Sequence, residues 1–273
     1  MNKPDHFVSE RQALIYAQLQ QRGRVLAQEL AQTFDVSEDT VRRDLREMAA
    51  RGECTRVYGG ALLATGTTVP LKTRITEMPD RKATLGRTAA RFLQDGMTVF
   101  IDAGSTNLAI AKNLGVGLKL TVITSTPVIA AELEGNADID LILIGGRVHP
   151  AIGAAIDATA IRQLEHMRPD LCIVGVCGLT RDGLCAEIYE DATFKRLACE
   201  ASDRTLAAIT SEKLGVPSAF HVSSLSSTLT LVLEEGADLA MVGALADTGV
   251  KIHQAGSSSG ISSHTHPPKD QSR

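Results

Sequence analysis

Short runs of apolar residues alternate with stretches of helical length from about residue 80 to residue 254. The runs are "MTVFIDAG", "LTVITST", "DLILIGG", "LCIVGVCG" and "TLTLVLEE". Each is continuously apolar, which is typical of strands in a parallel sheet that is covered on both faces. Between them lie helix-length stretches such as "NLAIAKNL" and "DATFKRLACEA". The pattern predicts a three-layer α/β domain with a mostly parallel sheet.

Residues 9–60 have instead the pattern of three short helices. The first is expected to begin with Ser9 as its cap, and Ser37 is expected to cap the third. The apolar positions of the first two helices are Leu14, Ile15, Leu19, Leu26, Leu30 and Phe34. Placing residues 100° apart puts one stripe of the third helix on the buried side, namely Val41, Leu45, Met48 and Ala49.

The third helix is expected to carry a cationic outer face. Arg43 points almost directly away from the buried stripe, Arg42 and Arg46 flank it, and Thr40 lies on the other side of the exposed face. This arrangement fits a helix-turn-helix whose third helix enters the major groove. It also fits an ordinary surface helix with acid–base pairs at i, i+4, which would be Glu38–Arg42, Asp39–Arg43 and Glu47–Arg51. The helix alone leaves both interpretations open.

The segment "CTRVYGGAL" after this helix favours DNA binding. Its apolar–polar alternation ends in Gly-Gly, which predicts a short β-hairpin where a winged helix carries its wing. Arg56 in this hairpin could reach backbone phosphate or the minor groove.

Residues 36–62, "VSEDTVRRDLREMAARGECTRVYGGAL", resemble the signature of the DeoR family of bacterial transcriptional repressors. That signature is V-S-x-x-T-[IV]-R-R-D-L, followed by an acidic and apolar turn and then R-V-[HY]-G-G-A. The resemblance implies a winged helix-turn-helix in which Ser37, Thr40, Arg42 and Arg43 contact operator DNA. Cys54 stands where the family generally has Leu, which should cost some packing at the base of the wing.

Charge and cysteine content narrow the class of protein. The formal net charge is −4, so affinity for nucleic acid must come from a local surface. The five cysteines include no C-x-x-C pair, which favours free thiols in a reducing cytosol over disulfides or a metal site. The chain opens without a signal peptide and has no apolar run of membrane-spanning length. We therefore expect a soluble cytoplasmic protein with no metal, no cofactor and no membrane partner.

Composition divides the chain into four segments. Residues 1–61 are assigned to the winged helix-turn-helix. Residues 62–79 contain Thr, Gly and two prolines without lasting periodicity, and they are interpreted as a linker or extended arm. Residues 80–254 form the α/β domain, and residues 255–273 are expected to be disordered because they have almost no apolar side chains.

Polar residues follow several of the predicted strands. Parallel sheets bind ligands at the carboxyl ends of their strands. The residues there are Asp102, Gly104, Ser105, Thr106 and Asn107 after the first strand, Thr124 and Ser125 after the second, and Gly145, Gly146 and Arg147 after the third. Glycine allows a ligand to approach the backbone closely, and the serine and threonine hydroxyls can donate hydrogen bonds to it. The start of a helix has free N–H groups that favour an anion. Together these properties indicate a phosphate or other anion site. A single glycine after a strand is usually a turn, but three such sets at one edge favour binding.

Charged residues occur later in the domain. Glu190, Asp191 and Lys195 lie on a helix, and Lys213 follows another strand. A solvated helix face is the alternative interpretation of these residues, and it is the one adopted for Asp191.

The order of motifs in this domain also resembles the sensor domain of the DeoR family, from Arg74 through "RKATLGRTAARFLQDGMTVFIDAGSTN" and "PDLCIVGVCGLTRDGL" to "VKIHQA". The resemblance implies a fold related to ribose-5-phosphate isomerases and coenzyme A transferases. It also implies a pocket for a phosphorylated sugar or related intermediate, whose arrival releases the repressor from DNA. The implied contacts are Asp102, Gly104 to Asn107, Thr124, Gly146, Glu190, Lys195 and Lys213.

Two departures from the family pattern concern this pocket. The family usually has Asn near Ser125 and D-S-S-K-F-G where this chain has "TSEKLG". Thr210 therefore replaces an acid, which puts in doubt how the sugar hydroxyls are held, whereas the lysine is retained.

The main hypothesis is thus an effector-controlled, homo-oligomeric repressor that binds double-stranded operator DNA. The alternative is a sugar-phosphate isomerase or transferase, since a carboxylate and lysines could transfer protons. Such an enzyme would not need the first 60 residues. The sequence leaves open whether the regulator represses or activates.

Overall fold

The computed structural model describes residues 4–22, 24–50, 53–57, 59–63 and 69–256. The chain divides into two compact units, residues 1–69 and residues 70–273. From residue 257 onward, the tail that was predicted to be disordered lies outside the described residues.

The first unit is a winged helix-turn-helix, as predicted. Its elements are α1 (Pro4–Arg22), β1 (Arg24–Leu26), α2 (Ala27–Phe34), α3 (Glu38–Ala50), β2 (Cys54–Val57) and β3 (Gly60–Leu63). Strands β2 and β3 form the antiparallel hairpin of the wing, and β1 pairs antiparallel with the other edge of β3. The core packs residues from all three helices, including Ile15, Leu19, Leu30, Val41, Leu45 and Met48.

The structure corrects three details of this unit. Helix α1 begins at Pro4, not at Ser9, and proline is well suited to the first turn because it lacks an N–H. Leu14 is 55% exposed, and only its neighbour Ile15 faces the core. Leu26 lies in β1, a strand that was not predicted, and is also largely exposed. A three-residue strand is too short to leave a periodic pattern in the sequence.

Cys54 occupies the base of the wing. It is buried, and its Sγ lies 3.6 Å from the carbonyl oxygen of Leu45, to which it can donate a weak hydrogen bond. The smaller side chain at this position is therefore accommodated within the core of the unit.

The second unit is built on a seven-stranded parallel sheet. Its strands are β4 (Thr98–Ile101), β5 (Leu120–Thr124), β6 (Ile139–Leu143), β9 (Leu171–Ile173), β12 (Arg204–Ile209), β14 (Leu229–Leu233) and β15 (Lys251–Gln254). The spatial order is β15-β14-β12-β9-β4-β5-β6, and every neighbouring pair is parallel. The prediction of a mostly parallel sheet is confirmed.

Helices cover both faces of this sheet and make three layers. The helices of the unit are α4 (Leu71–Thr76), α5 (Pro79–Ala90), α6 (Ser105–Ala111), α7 (Pro127–Leu133), α8 (Ala158–Leu164), α9 (Tyr189–Ala201) and α10 (Leu239–Ala246). Helices α5, α6 and α7 pack on the face that holds Ile101 and Val122. Helices α8, α9 and α10 pack on the opposite face, with Phe100 and Ile123. Successive residues of one strand thus enter different cores, which explains the continuously apolar strand sequences.

Strand order reverses next to β4. The chain adds β5 and β6 on one side of β4, then crosses back and adds β9, β12, β14 and β15 on the other side. In open α/β sheets, the carboxyl ends of the two strands at such a switch point border the crevice in which ligands bind. The residues after β4 and β9 therefore define the edge where a site is expected.

The remaining strands form two small antiparallel sheets. One is the pair β7 (Val148–His149) and β8 (Ala154–Ala155), and the other contains β10 (Gly178–Thr180), β11 (Gly183–Ala186) and β13 (Phe220–Ser223). None of the helices in the described ranges combines the length and hydropathy needed to span a bilayer.

The predicted linker of residues 62–79 differs from the structure in its second half. Residues 71–76 form helix α4, and Leu71 is buried in the second unit, where its N–H donates to the carbonyl of Ala151. Six helical residues with one buried leucine are too few to produce a periodic signal.

Candidate nucleic-acid interface and effector site

Helix α3 starts at a capped turn on the surface of the first unit. Asp35 takes the left-handed conformation that ends α2, with φ of 51°, and its N–H bonds to the carbonyl of Ala31. The Ser37 hydroxyl accepts a hydrogen bond from the Thr40 N–H at 3.2 Å, as predicted, and lies 2.9 Å from the Thr40 hydroxyl. The two hydroxyls therefore mark the amino end of α3, the part of a recognition helix that contacts bases.

Three arginines are exposed on one side of α3. Arg42 pairs with Glu38 at 2.7 Å, as predicted, and also lies 3.4 Å from Asp39. The pair between Asp39 and Arg43, which belongs to the surface-helix interpretation, does not form, and Asp39 lies near Arg42 instead. Arg43 makes no ion pair with any residue that the structure describes, while Arg46 donates to the carbonyl of Arg42. Glu47–Arg51 cannot be compared, since Arg51 lies outside the described residues.

Arg56 is exposed on β2 of the wing. Its main chain is held in the hairpin opposite Ala61. The predicted DNA-contacting side chains of α3 and the wing thus all belong to the surface of the first unit.

A buried carboxylate, missed by the sequence analysis, anchors α3. Asp44 accepts hydrogen bonds from Arg11 at 2.6 and 3.1 Å and from the amide of Gln12 at 3.2 Å. Asp44 is next to Leu45 and faces the apolar core with it. Helical spacing does not show that Arg11 and Gln12 of α1 lie there to pair with a carboxylate. The ion pair joins α1 to α3 and fixes the helix that carries the arginines.

In the second unit, three charged side chains meet at the carboxyl end of β4. The ammonium of Lys195 lies 2.6 Å from Asp102 Oδ2 and 2.9 Å from Asp191 Oδ1. All three residues are buried, Lys195 with only 3% of its surface exposed. The Gly175 N–H also donates to Asp102 Oδ2 at 2.9 Å, which links β4 to the residues after β9 across the switch point.

The prediction that Asp191 is solvent-exposed was wrong. Asp191 is 2% exposed and shares with Lys195, one turn later, the face of α9 that includes Ala192 and Ala198. Glu190, which was predicted to contact the effector, is exposed at the start of α9. Helical spacing puts Asp191 and Lys195 on the same face of α9. It does not show that Asp102, at the end of β4, lies against that face and pairs with Lys195.

Burial and the neighbouring charges act on the cluster in opposite directions. Burial alone would lower the pKa of Lys195, but the carboxylates of Asp102 and Asp191 outweigh it and raise the pKa well above the usual lysine range. Burial also raises the pKa of Asp191, against the opposing effect of Lys195. An ammonium with a raised pKa stays protonated near neutral pH and cannot act as a base. The charge of Lys195 therefore argues against the enzyme alternative, in which a lysine transfers protons.

The loop after β4 is held by polar side chains that were predicted to contact a ligand. Asn107 donates to the carbonyls of Asp102 and Ile173 at 2.9 and 3.3 Å, and Thr124 donates to the carbonyl of Ile101 at 2.7 Å. Ser105 and Thr106 open α6, which has only seven residues. These side chains shape the edge of the site by satisfying backbone groups at the strand ends.

The glycine that the loop requires is not Gly104. A Cβ on Gly104 would lie 3.5 Å from Asn107, an ordinary contact, whereas a Cβ on Gly175 would lie 2.1 Å from the carbonyl oxygen of Ala103. The backbones after β4 and β9 therefore approach each other as closely as glycine allows. The apolar run "LCIVGVCG" contains Gly175, and its position after a strand is the signal that could have indicated it.

Lys213 lies beyond the end of β12. Its ammonium donates to the carbonyl of Val176 at 2.6 Å, and burial lowers its pKa to about 8. Nearby Arg74, Lys82 and Lys195 lower the pKa further. Several cations therefore lie near Lys213, and together they would favour binding of an anion.

Arg81 fixes the turn that carries Lys213, a contact not foreseen from the sequence. Its guanidinium hydrogen-bonds both carboxylate oxygens of Glu234, at the end of β14, and also pairs with Glu212. Glu234 accepts in turn from the N–H and hydroxyl of Ser211, both at 2.8 Å. The turn at residues 211–213 is therefore tied to both α5 and β14.

The residues after β6 are held by a different part of the fold. Gly145 exchanges hydrogen bonds with the side chain of Gln163, and the Arg147 N–H donates to Asp157. At Gly146 φ is 146°, and a Cβ would lie 2.5 Å from an oxygen of Asp157. The exposed Gly145, Gly146 and Arg147 thus form a turn braced by Asp157 at the start of α8 and by Gln163 near its end. This turn follows β6, an edge strand that is separated from β4 by β5.

The two units define a class of protein: a DNA-binding regulator with an attached ligand-sensing domain. A model described as the DeoR-like helix-turn-helix domain matches residues 11–67, and one described as the DeoR C terminal sensor domain matches residues 77–235. The chain belongs to the DeoR family of transcriptional regulators, as its signature indicated.

Full-length relatives carry regulatory names. The chain is 29% identical over 249 residues to the HTH-type transcriptional regulator GolR of Listeria innocua, covering 90% of this chain and 98% of that protein. It is 28% identical over 236 residues to the glycerol-3-phosphate regulon repressor of Escherichia coli, covering 86% and 94%. These relatives are named as regulators, so the alternative of an enzyme is not favoured.

The sensor fold also has structural neighbours. Ribose 5-phosphate isomerase A of Methanocaldococcus jannaschii aligns with a TM-score of 0.36 and 15% identity, covering 50% of this chain and 54% of that one. A score of this size has no bearing on function.

Proposed function

We propose that this protein represses a carbohydrate-related operon. In this proposal α3 and the wing bind operator DNA, and a phosphorylated sugar or related metabolite, bound at the carboxyl edge of the parallel sheet, releases the protein from it. The observation that carries the proposal is the exposed arginine face of α3 on a helix whose opposite face is anchored in the core. Because the net charge is −4, this local surface has to supply the attraction to phosphate.

On the DNA side, the proposed contacts are Ser37, Thr40, Arg42, Arg43, Arg46 and Arg56. Ser37 and Thr40 lie at the amino end of α3, which in a helix-turn-helix contacts base edges. Arg43 makes no competing ion pair within the described ranges, so it can bind DNA without first losing a partner. Arg42 must exchange Glu38 for DNA, but exposed pairs of this kind contribute only about 0.3–0.5 kcal/mol.

On the effector side, the proposed site contains Asp102, Lys195 and Lys213, with the loop of residues 104–107 and Thr124 as its frame. Lys213 supplies a cation at a partly desolvated position where an anion would be bound strongly. We further propose a homo-oligomer, since two recognition helices are needed to bind two operator half-sites. Effector binding would then shift the equilibrium between sensor arrangements that do and do not match the half-site spacing.

Gel shifts with DNA selected by the wild-type protein from a random pool test the DNA-binding surface. Arg43→Ala should weaken binding by about 1–3 kcal/mol, or about five- to 150-fold, and reduce the salt slope by about one. Arg91→Ala is the matched control, because Arg91 is an exposed arginine of the second unit. Equal effects of the two variants, or no sequence preference in the selected pool, would refute this role for α3.

Thermal shifts with a panel of phosphorylated sugars test the sensor site. The panel should include glycerol 3-phosphate, because one relative is named for that regulon. A compound that binds the native state raises its apparent stability, and the same compound should release DNA in the gel shift. Stabilisation without release would contradict the proposed coupling.

A further inference from the structure

The two edge strands of the seven-stranded sheet differ in their side chains. One is β15, which carries the exposed Lys251, a residue type that discourages an edge strand from pairing with another chain. The other is β6, whose sequence "IDLIL" contains one charged residue, Asp140. Ile142 and Leu143 of this strand are 37% and 50% exposed. An apolar edge strand of this kind is a template for pairing with a further strand.

Hydrogen bonds to β5 determine which backbone groups of β6 point outward. The Ile144 N–H donates to the Thr124 carbonyl at 2.8 Å, and the Asp138 carbonyl likewise accepts from β5. In a parallel ladder every second residue of a strand bonds to one neighbour, so the even-numbered residues of β6 bond to β5. Leu141 and Leu143 therefore direct their N–H and C=O groups away from β5, where no described residue bonds to them.

The open part of this edge has defined ends. At its amino end, the Ile139 N–H donates to the Asn136 carbonyl at 3.1 Å. At its carboxyl end, the Gln163 side chain bonds to both the N–H and the carbonyl of Gly145, as a neighbouring strand would. The two leucines between these ends keep complete pairs of outward N–H and C=O groups. A partner strand is therefore expected to centre on the residue between them.

We propose that β6 pairs antiparallel with β6 of a second copy of this chain, about a twofold axis that passes beside Ile142. The inference rests on the homo-oligomer of the proposed function and names the surface that forms it. About this axis, Leu141 of each copy lies opposite Leu143 of the other, and the two residues exchange N–H···O bonds. Each outward donor and acceptor of the leucines is then paired with a group of the second copy.

The same register covers the exposed apolar side chains. Residues directly opposite each other in antiparallel strands have their side chains on one face and in contact. Leu143 would contact Leu141 of the second copy on the face that α7 covers. Ile142, which lies beside Ile123 on the opposite face, would contact its own counterpart. Because each sheet has one apolar edge, the contact closes after two copies instead of continuing into a filament.

Charge favours a second copy of this chain over an unrelated strand. The exposed Asp140 lies in the amino half of β6, and the exposed Arg147 follows its carboxyl end. Antiparallel pairing brings the acidic end of each copy towards the basic end of the other, so the surface is complementary to itself. A twofold contact also has the symmetry that palindromic half-sites require.

Leu143→Lys, with Leu14→Lys as its matched control, tests the interface in the full-length protein. Leu14 is 55% exposed on α1 of the first unit, so the two variants change the same residue type at similar exposure. Sedimentation velocity over a range of protein concentrations gives the dissociation constant between copies. Leu143→Lys should raise this constant by about 100-fold or more, because two like charges then lie close to the axis. Leu14→Lys should change it by less than about twofold, and both variants should keep the circular dichroism of wild type.

Ile142→Cys, with Asp140→Cys as its control, tests the register. Opposite residues that are not hydrogen-bonded to each other have Cα atoms about 4.5 Å apart, a separation that a disulfide can span. Ile142→Cys should therefore form a covalent dimer under mild oxidation, seen on a non-reducing gel. In Asp140→Cys the two introduced thiols are four residues out of register, or about 14 Å apart, and should cross-link much more slowly. Wild type is the second control, since the chain has five cysteines of its own.

Three results would overturn this interface. One is a Leu143→Lys variant that associates as tightly as wild type, which would leave the proposed homo-oligomer intact but place its interface elsewhere. Another is equal cross-linking of Ile142→Cys and Asp140→Cys. The third is a wild type that stays monomeric, in which case the proposed homo-oligomer fails as well. A monomer that associates only after removal of residues 257–273 would assign the edge to the tail of the same chain.

Discussion

Replacing Lys195 by methionine removes the only cation of the buried cluster while keeping the length of the side chain. Lys195 is 3% exposed and lies 2.6 and 2.9 Å from the carboxylates of Asp102 and Asp191. Without the ammonium, two carboxylates are left in one apolar site. Removing one partner of a buried pair costs about 3–5 kcal/mol, mainly because the remaining charge is uncompensated. For a domain of this size the loss corresponds to a melting temperature lower by about 6–20 °C.

Urea denaturation of wild type and Lys195→Met between pH 5 and pH 8 measures this loss. Burial raises the pKa of Asp191, and in the variant the opposing effect of Lys195 is gone, so this folded-state pKa should rise further above its unfolded value. Stability relative to wild type is then lowest at neutral pH and recovers as the pH falls and Asp191 binds a proton. Lys112→Met is the matched control, because Lys112 makes an exposed pair with Glu132 at 3.8 Å and its loss should cost under about 1 kcal/mol.

The result that would refute this reasoning is a loss below about 1 kcal/mol, or a loss that does not change with pH. Either would mean that Asp102 and Asp191 are not held as a charged cluster by Lys195. The double variant Asp102→Asn, Lys195→Met provides a further check, since removal of one carboxylate should restore part of the stability.

Two further predictions concern Lys213 and Asp44. Burial lowers the pKa of Lys213 to about 8, so the affinity of the free site for inorganic phosphate should fall as the pH rises above about 8, by up to about tenfold per unit. Lys213→Met should abolish this dependence in calorimetry, and a dependence that persists would assign it to another group. Asp44→Ala removes the carboxylate that accepts both hydrogen bonds of Arg11, while Gln12 keeps its bond to Glu47, and the change should destabilise the first unit by about 1–3 kcal/mol in urea denaturation followed by circular dichroism. The control is Asp39→Ala, which changes an exposed carboxylate and should lower the stability of the first unit much less. Equal losses of stability in the two variants would contradict the anchoring role of Asp44.

The sequence predicted the layers of the fold because strands and helices leave periodic patterns. The core strands, the α3 stripe and the wing all follow from spacing and from the family signature. Short elements such as β1 and α4 leave too few positions for a period to appear, so neither was predicted. The first turn of α1 was missed for a related reason, since a polar opening sequence gave no apolar stripe to extend.

The site was predicted less well, because pairing across the sheet is not visible in local spacing. Asp102 and Lys195 were named from strand ends and from the family resemblance, but Asp191 was set aside as a surface residue. Its burial depends on Asp102, 89 positions earlier in the chain. Arg81 was missed in the same way, since its acceptors Glu212 and Glu234 lie 131 and 153 positions away. Contacts of this kind become visible only when the order of the strands is known.

The distance between Asp102 and Lys195 along the chain, 93 positions, has a consequence for synthesis. A ribosome completes the recognition helix more than a hundred residues before it reaches the lysine that closes the sensor cluster. A message that stops between the two would therefore yield a product that has α3, the proposed DNA-binding helix, but lacks the lysine that pairs with Asp102 in the proposed effector site. Under the proposed function, nonsense alleles in the second half of the gene would then include repressors that the effector does not release.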